Sequence, residues 1–255
     1  MTADAMDVRR KEERFSPVND LGIVIVAAGA SRRFGGGRSK LLSELGGIPL
    51  FLHSVGRFAP CAAPGALVVV LPADGGEEFR SAAARLLPEV AIRWTAGGAT
   101  RAISVRNGIA ALPDGLRYVA IHDAARPLAS AELLRKLAVR ARECGGAIPG
   151  VPVADSLKRL DADGMIAGPV ERDNLYAVAT PQVFALDAYR QAILAPGVED
   201  CTDDAEVMRR AGYAVALVTD YSCNLKVTTP ADLEKLRREF RASAAMPERK
   251  TGTSR

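Results

Sequence analysis

A loop of small and basic residues follows the first strongly apolar run of the chain. Residues 22–28 form a continuous, largely β-branched stretch, which predicts a buried strand, and residues 29–40 contain four glycines and four basic residues. Small residues let backbone N–H groups approach an anion closely, while Arg33 and Lys40 can neutralise phosphate charge. The loop matches neither the Walker A pattern nor GxGxxG. A phosphate site and a flexible glycine turn with two solvated cations are both compatible with it.

A second cluster reads Gly-Gly-Ala-Thr-Arg-Ala-Ile-Ser over residues 97–104, again where a predicted strand passes into a predicted helix. The free N–H groups and the positive end of a helix favour an anion or a polar base edge at such a place. Thr100 also suits a plain helix N-cap with no ligand. Both interpretations stay open from these residues alone.

A third cluster, His-Asp-Ala-Ala-Arg-Pro at residues 122–127, ends another predicted strand. Asp123 could bind a ribose hydroxyl or a divalent cation, and the alanines beside it leave room for a sugar. The alternative is an Asp123–Arg126 salt bridge that shapes the turn. We interpret His122 as a packed histidine at the strand end.

Further polar segments follow later in the chain, at residues 172–174, 180–182, 202–204 and 224–228. Together the clusters supply many groups that complement phosphate. The sequence has no GxSxG, no HExxH and no Cys/His pairing signal. This balance favours catalysis by positioning and electrostatics on phosphates over covalent catalysis.

Strand and helix patterns alternate around these clusters. Strands are predicted at 22–28, 66–71, 90–94, 118–121, 146–153 and 213–218, and helices at 49–58, 76–87, 101–112, 131–143, 203–211 and 230–240. Such alternation predicts an α/β fold with a doubly wound, mostly parallel, Rossmann-like sheet. Ligands bind beyond the carboxyl ends of the strands in such sheets, where the clusters lie.

One segment, residues 151–184, breaks the alternation. Residues 155–160 and 165–170 flank Asp-Ala-Asp-Gly, and Asp-Gly between two such runs indicates a β-hairpin. An isolated hairpin is marginally stable in water, so we expect this arm, at about 151–175, to pack on a second subunit.

Composition narrows the protein class. The 255 residues are 48% hydrophobic and 25% charged, with no apolar run long enough to cross a bilayer, no signal peptide, and a net charge of +4. Most of the excess basic charge lies in residues 235–255, so we predict neither a nucleic-acid nor a membrane partner. Four cysteines without a CxxC pair and two histidines argue against a disulfide framework or a multi-histidine metal site, and fit a cytoplasmic protein. We predict a disordered leader at 1–20, one domain at 21–240 and a basic disordered tail at 241–255.

Taken in order, four motifs resemble those of the 2-C-methyl-D-erythritol 4-phosphate cytidylyltransferase family. They are AAG-x-[GS]-xR with a lysine seven positions after the arginine, HDAARP, TPQVF and N[IL]KVT, and the similarity covers about residues 21–240. The resemblance implies a homodimeric nucleotidyltransferase that joins CTP to 2-C-methyl-D-erythritol 4-phosphate, with Mg²⁺ bound mainly through the phosphates of CTP and no dedicated protein metal site. It also implies a place in isoprenoid biosynthesis.

The resemblance also implies a set of site residues. The catalytic residues would be Arg33, Lys40 and Lys226. The nucleotide would contact Ala27, Ala28, Gly29, Gly98, Arg101, Ser104 and Asp123. The second substrate, 2-C-methyl-D-erythritol 4-phosphate, would contact Asp123, Arg172, Thr180, Thr202 and Lys226, with Arg172 serving the neighbouring subunit's site through the hairpin arm.

Two alternatives stay open from the sequence. One is a cytidylyltransferase for another polyol phosphate, such as ribitol 5-phosphate. The other is a nucleotide-binding regulatory protein without turnover. It is motivated by Ala99, where the family commonly has an acid, and by Ser39 and Leu41, where proline and glutamine usually flank the lysine.

Overall fold

The computed structural model describes residues 19–29, 34 and 39–245. Its strands are β1 (Leu21–Val26), β2 (Glu44–Leu45), β3 (Ile48–Pro49), β4 (Leu67–Leu71), β5 (Arg93–Ala96), β6 (Tyr118–Asp123), β7 (Gly146–Pro152), β8 (Leu157–Leu160), β9 (Ile166–Val170), β10 (Tyr176–Val178), β11 (Gln182–Ala185) and β12 (Ala216–Thr219). Its α-helices are α1 (Leu50–Phe58), α2 (Glu77–Leu86), α3 (Arg101–Ala110), α4 (Ala131–Cys144), α5 (Leu186–Ala192), α6 (Asp204–Arg210) and α7 (Pro230–Ala245). Short 3₁₀ helices occupy Lys40–Leu42, Ala59–Cys61 and Val198–Asp200.

The main sheet has eight strands in the order β10-β7-β11-β6-β1-β4-β5, with β12 paired to β7. Strand β1 lies parallel to both β4 and β6, β4 is parallel to β5, and β12 is parallel to β7. Strand β11 runs antiparallel between β6 and β7, and β10 is antiparallel to β7. The predicted α/β fold with a mostly parallel sheet is confirmed.

Apolar side chains cover both faces of this sheet. Alternate residues of β1 point to opposite sides: Ile23 and Ile25 join one buried cluster, and Val24 joins the other. The first cluster holds side chains of α1, α2 and α4, and the second holds side chains of α3, α5 and α6. This two-sided burial explains why the strands are continuous apolar runs, because neither face meets water.

A third, smaller cluster joins helix α7 to β2 and to the start of α1. Leu233 and Leu236 of α7 pack against Leu45, Leu50 and Val227, and Phe34 is partly buried against the same group. The last helix therefore anchors the segment that carries residue 226.

The predicted hairpin is present as a separate two-stranded sheet. Strands β8 and β9 pair antiparallel, with Leu157 opposite Val170. In the turn, the Asp161 carboxylate accepts backbone N–H bonds at 3.0 and 2.8 Å, and Gly164 has a φ of +81° that favours glycine. All four residues of β8 are exposed.

The structure differs from the sequence predictions in several places. Strand β5 begins at residue 93, three positions later than predicted, and β10, β11 and α5 were not predicted. Their short apolar runs carry too few residues for a period to show. Helix α7 continues to residue 245, past the predicted boundary at 240. The predicted leader lies outside the described residues except for Asn19 and Asp20, and the backbone oxygen of Asp20 accepts bonds from two residues at the start of β6.

Helix α3 approaches the sheet closely enough to require glycine. A Cβ on Gly108 would lie 2.5 Å from Val24 Cγ1 and 2.8 Å from Val70 Cγ2, and both valines are fully buried. Gly56, inside α1, has only ordinary contacts, with its nearest neighbour 3.7 Å away on Leu87.

We expect Gly108→Ala to lower the free energy of unfolding by about 1–3 kcal/mol, because stiff β-branched side chains must move to admit the methyl group. The matched change Gly56→Ala should be neutral or stabilising by up to about 1 kcal/mol, since alanine favours a helix interior. Urea titrations of both variants measure the difference. Equal stabilities would contradict the close approach of α3.

Candidate active site

Three predicted segments lie side by side at the carboxyl edge of the sheet. Residues 27–29 continue from β1, and the ladder of backbone bonds extends beyond the strand ends: Ala124 N donates to Val26 O at 3.1 Å, and Gly97 N donates to Leu71 O at 2.7 Å. Exposure increases along residues 27–29, from buried at the first to exposed at the third. The loops after β1, β5 and β6 therefore form one rim.

The loops after β1 and β5 touch because their residues are small. A Cβ on Gly97 would lie 2.3 Å from the Cβ of Ala28, and one on Gly98 would lie 2.0 Å from Ile103 Cγ2. A side chain at Gly97 would push the two loops apart, and one at Gly98 would collide with Ile103 in the first turn of α3. Glycine at both positions is thus a packing requirement of the rim.

The start of α3 is fixed by hydroxyl groups. Thr100 is the N-cap, and its side chain accepts a bond from Ile103 N at 3.2 Å. Ser104 Oγ accepts from Gly98 N at 3.0 Å and donates to Thr100 O at 2.9 Å. The structure thus places Ser104, a predicted nucleotide residue, inside the turn, where it is buried and holds Gly98 in place.

The carboxylate of Asp123 lies between two cations. Its Oδ1 accepts bonds from Arg101 Nε and Nη2, both at 3.3 Å, and its Oδ2 accepts from Lys226 Nζ at 2.6 Å. The guanidinium of Arg126 points elsewhere and donates to Asn224 O at 2.7 Å. The Asp123–Arg126 pair left open by the sequence is therefore not what shapes this turn.

A second carboxylate, that of Asp204 at the start of α6, also holds Arg101. Arg101 Nη2 donates to Asp204 Oδ2 at 2.7 Å, and the buried Tyr189 hydroxyl donates to Asp204 Oδ1 at 2.6 Å. The sequence had pointed to the Thr-Asp-Asp segment without showing which carboxylate faces inward. Two carboxylates and two cations thus form a charge-balanced cluster.

Burial and charge act in opposite directions on this cluster. Burial alone would raise the pKa of Asp123, but Arg101 and Lys226 outweigh it and hold that pKa well below its ordinary value. Burial would lower the pKa of Arg101, whereas Asp204 and Asp123 raise it. Burial and the nearby Asp204 charge raise the pKa of Tyr189 well above its usual range. At neutral pH Asp123 and Arg101 are therefore ionised, and the Tyr189 phenol is a donor.

The two predicted catalytic lysines of the described chain come from segments that touch. Lys40 Nζ donates to the backbone oxygen of Val227 at 2.7 Å, next to Lys226, and Val227 N donates to Ala125 O at 2.9 Å. Lys226 is 41% exposed on its side chain. The structure thus brings both lysine segments to the rim, while Arg33 lies outside the described residues.

The remaining predicted residues lie at different depths. Thr180 is buried beneath Asp123, and its Oγ1 accepts the Asp123 N–H bond at 3.0 Å. Thr202 is exposed in the loop before α6. Arg172 is exposed between β9 and β10, and its guanidinium donates to the Ala154 carbonyl at the base of the hairpin. Arg172 is thus held by the hairpin itself.

Within residues 19–29, 34 and 39–245, no group of three or more His, Cys, Asp or Glu side chains is arranged to hold a metal ion. Both oxygens of Asp123 are engaged by cations. Over the same ranges, no helix combines the length and the apolar character needed to span a bilayer.

We expect Asp123→Asn to lower the free energy of unfolding by about 2 kcal/mol at pH 7, because it leaves two cations with a weaker partner. The native pKa of Asp123 is lowered, so its stabilisation is complete above about pH 4, near its ordinary value of 3.8, and is lost as pH falls through the native pKa. The gap between wild type and variant should therefore stay constant from pH 7 down to about pH 4 and should narrow as the pH falls further towards about 2.

Urea titrations over that pH range measure this gap. The exposed Asp114→Asn is the matched control and should change stability by no more than about 0.5 kcal/mol. A gap for Asp123→Asn that is independent of pH would show that the ion pairs do not stabilise the fold.

Known proteins resemble this chain over most of its length. The family model described as IspD: 2-C-methyl-D-erythritol 4-phosphate cytidylyltransferase matches residues 21–240. A bifunctional enzyme IspD/IspF of Rhodospirillum rubrum is 43% identical over 220 residues, which are 86% of this chain and 56% of that protein. This chain thus spans little more than half of that relative.

Two further proteins match over nearly their whole length. A 2-C-methyl-D-erythritol 4-phosphate cytidylyltransferase of Rhodopirellula baltica is 37% identical over 224 residues, 84% of this chain and 91% of that protein. The crystal structure of the enzyme of the same name from Thermus thermophilus is 28% identical, with a TM-score of 0.72 over 87% of this chain and 99% of that one. The chain therefore belongs to the 2-C-methyl-D-erythritol 4-phosphate cytidylyltransferase family.

Proposed function

We propose that this protein transfers a cytidylyl group from CTP to 2-C-methyl-D-erythritol 4-phosphate, giving 4-diphosphocytidyl-2-C-methyl-D-erythritol and pyrophosphate. Family membership supports the reaction. The observation that carries it in this chain is that Arg101 and Lys226 meet on Asp123 at the carboxyl rim, with Lys40 bonded to the residue after Lys226. A triphosphate and a phosphate monoester are both anions and repel each other. Cations from three segments can neutralise this charge when the two are brought together.

The proposed chemistry is one direct displacement. An oxygen of the substrate phosphate forms a bond to the α-phosphorus of CTP as the bond from that phosphorus to the pyrophosphate oxygen breaks. A phosphate monoester dianion is already a nucleophile, so no protein base is required. The protein has to position both anions and stabilise the charge that develops.

The side chains fit this division of work. Arg101 is tied to the buried Asp204, which keeps its guanidinium at the rim. Lys226 is more exposed and can turn from Asp123 towards a phosphate oxygen. We propose that Lys226, Lys40 and Arg33 stabilise the transition state, and that Asp123 contacts the ribose and the second substrate.

The other predicted residues divide between contact and support. Residues 27–29 would offer backbone groups to the nucleotide, and Gly98 would lie beside it with its N–H held by Ser104. Thr202 and Arg172 would bind the polyol phosphate, the latter in the neighbouring subunit's site, while the buried Thr180 would support that site through the Asp123 N–H bond.

We propose that Mg²⁺ enters with CTP. The described rim offers cations and backbone N–H groups, so the residues present suit phosphate oxygens and leave the metal to be held by phosphate and water, the hard ligands it prefers. When bound, the ion would neutralise part of the triphosphate charge.

We propose a homodimer that forms through the hairpin of β8 and β9. Its Leu160, Met165 and Ile166 side chains are 58–68% exposed, and the two strands do not join the main sheet. A lone two-stranded hairpin is marginally stable, so a second copy that covers these apolar side chains is the occupant we propose.

We also place the enzyme in the cytoplasm, because its four cysteines are all unpaired, as is typical of a reducing compartment.

Purified protein should release pyrophosphate with CTP and 2-C-methyl-D-erythritol 4-phosphate, and far less with ATP or UTP. Coupled detection of pyrophosphate across these nucleotides, with ribitol 5-phosphate as a second acceptor, measures the preference. Faster turnover with ribitol 5-phosphate would make this a polyol-phosphate cytidylyltransferase of another specificity. CTP binding without pyrophosphate release would indicate a regulatory protein.

We expect Lys226→Ala and Arg33→Ala each to lower kcat roughly a hundredfold or more, because each removes a cation from the transition state. Lys136→Ala is the matched control: this lysine pairs with Glu132 on the surface of α4 and should leave kcat unchanged. A normal kcat in either rim variant would remove that residue from the catalytic set.

Replacing Ile166 with Asp should shift the protein from dimer to monomer, since it places a charge in the proposed interface. Leu194→Asp is the control, because Leu194 is equally exposed, at 69%, but lies outside the hairpin. Sedimentation equilibrium measures the mass. A monomeric wild type, or a dimer unaffected by Ile166→Asp, would contradict the hairpin interface.

A further inference from the structure

His122 is a buried histidine that the proposed reaction does not use. It precedes Asp123 in β6, its side chain is 0% exposed, and its ring packs edge-on against Phe58 with the centroids 4.9 Å apart. A histidine at such a depth needs partners for both ring nitrogens, because an unpaired buried polar group is costly.

Both ring nitrogens have such partners. Nε2 lies 3.2 Å from the Arg126 carbonyl oxygen and 3.1 Å from Ser54 Oγ, and Nδ1 lies 3.1 Å from Thr180 Oγ1. A carbonyl oxygen can only accept, so Nε2 carries the proton. Burial lowers the pKa of His122 to about 4, so the ring is neutral at pH 7 and Nδ1 is an acceptor.

These directions define one chain of hydrogen bonds. The Asp123 N–H donates to Thr180 Oγ1, whose hydroxyl proton is then directed to His122 Nδ1, while Nε2–H donates to Arg126 O. The turn itself closes through Arg126 N, which donates to Asp123 O at 2.9 Å. One ring therefore fixes the first and last residues of the Asp123–Arg126 turn.

The segment that contains Lys226 is hydrogen-bonded to the same turn. Val227 N donates to Ala125 O at 2.9 Å on one side of the lysine, and Arg126 Nη1 donates to Asn224 O at 2.7 Å on the other. A shift of the turn would therefore move the Asp123 carboxylate and Lys226 together.

We propose that His122, as the neutral Nε2–H tautomer, is a positioning residue that holds the Asp123–Arg126 turn and, through it, the Asp123 carboxylate and Lys226 in register for phosphoryl transfer. This inference rests on the proposed function. It assigns His122 no contact with either substrate. Its effect should therefore fall on kcat rather than on the KM for CTP.

Three substitutions at His122 test the two ends of this hydrogen-bond chain separately. His122→Phe keeps a ring against Phe58 and removes both polar ends. His122→Asn keeps an acceptor near the position of Nδ1 for Thr180, and His122→Gln keeps a donor near the position of Nε2 for Arg126 O. The control is His53→Asn, at the only other histidine, whose Nε2 bonds to the Leu45 oxygen at 2.9 Å away from the Asp123–Arg126 turn.

We expect His122→Phe to lower kcat roughly 10- to 100-fold, the cost typical of a small misplacement, with the KM for CTP within about threefold of wild type. His122→Asn should recover part of the loss, and His53→Asn should show wild-type kcat. Circular dichroism selects the variants that fold. A folded His122→Phe with wild-type kcat would overturn the proposal.

Two readouts do not depend on turnover. Ring ¹⁵N spectra of the wild type should show Nδ1 unprotonated and Nε2 protonated at pH 7, and the Asp123 amide should exchange faster with solvent in His122→Phe than in His53→Asn. An Nδ1–H tautomer or an unchanged exchange rate would overturn the inference even if the enzyme is active. A wild type that releases no pyrophosphate would instead refute the proposed function, and these two readouts would still decide whether His122 holds the turn.

Discussion

The carboxylate of Asp123 is where the separate parts of the site are joined. Asp123 is the last residue of β6, next to the central strand β1. One oxygen of its carboxylate accepts a hydrogen bond from Arg101, and the other accepts one from Lys226. Arg101 begins helix α3, and Lys226 lies in the loop before α7. They are far apart in the chain, so no local preference places them together. The sheet does, because the carboxyl ends of its parallel strands meet at one edge. The ion pairs form only once that edge exists.

The balance of charge in the cluster has a mechanistic consequence. Each of the two cations in the cluster is paired with a carboxylate, which avoids leaving either cation unpaired at the edge of the core. In the proposed reaction, an arriving phosphate would compete with Asp123 for Lys226, whose side chain is 41% exposed, while the buried Asp204 would continue to hold Arg101. The cluster thus combines one cation of fixed orientation with one that can transfer its contact.

Rigid packing below the rim supports this arrangement. Gly97 allows the loop after β5 to lie against the loop after β1, and Gly108 allows α3 to lie directly on β1 and β4. His122 is hydrogen-bonded to the turn that carries Asp123. The hairpin of β8 and β9 contrasts with this core, since its apolar side chains face outwards and have no cover within the described chain. The protein therefore combines a rigid edge that presents cations with an exposed hairpin.

Elements whose signals are local could be predicted from the amino-acid sequence. Buried β-branched runs identified the parallel strands, Asp-Gly located the hairpin turn at 161–164, and the clusters at strand ends marked the rim. Tertiary structure alone decided that Asp123 pairs with Arg101 rather than Arg126, that Asp204 faces inward, and that β11 inserts antiparallel between β6 and β7. Those outcomes depend on strand order and on the direction of each side chain, and both are set by contacts between residues distant in sequence, which no local pattern records.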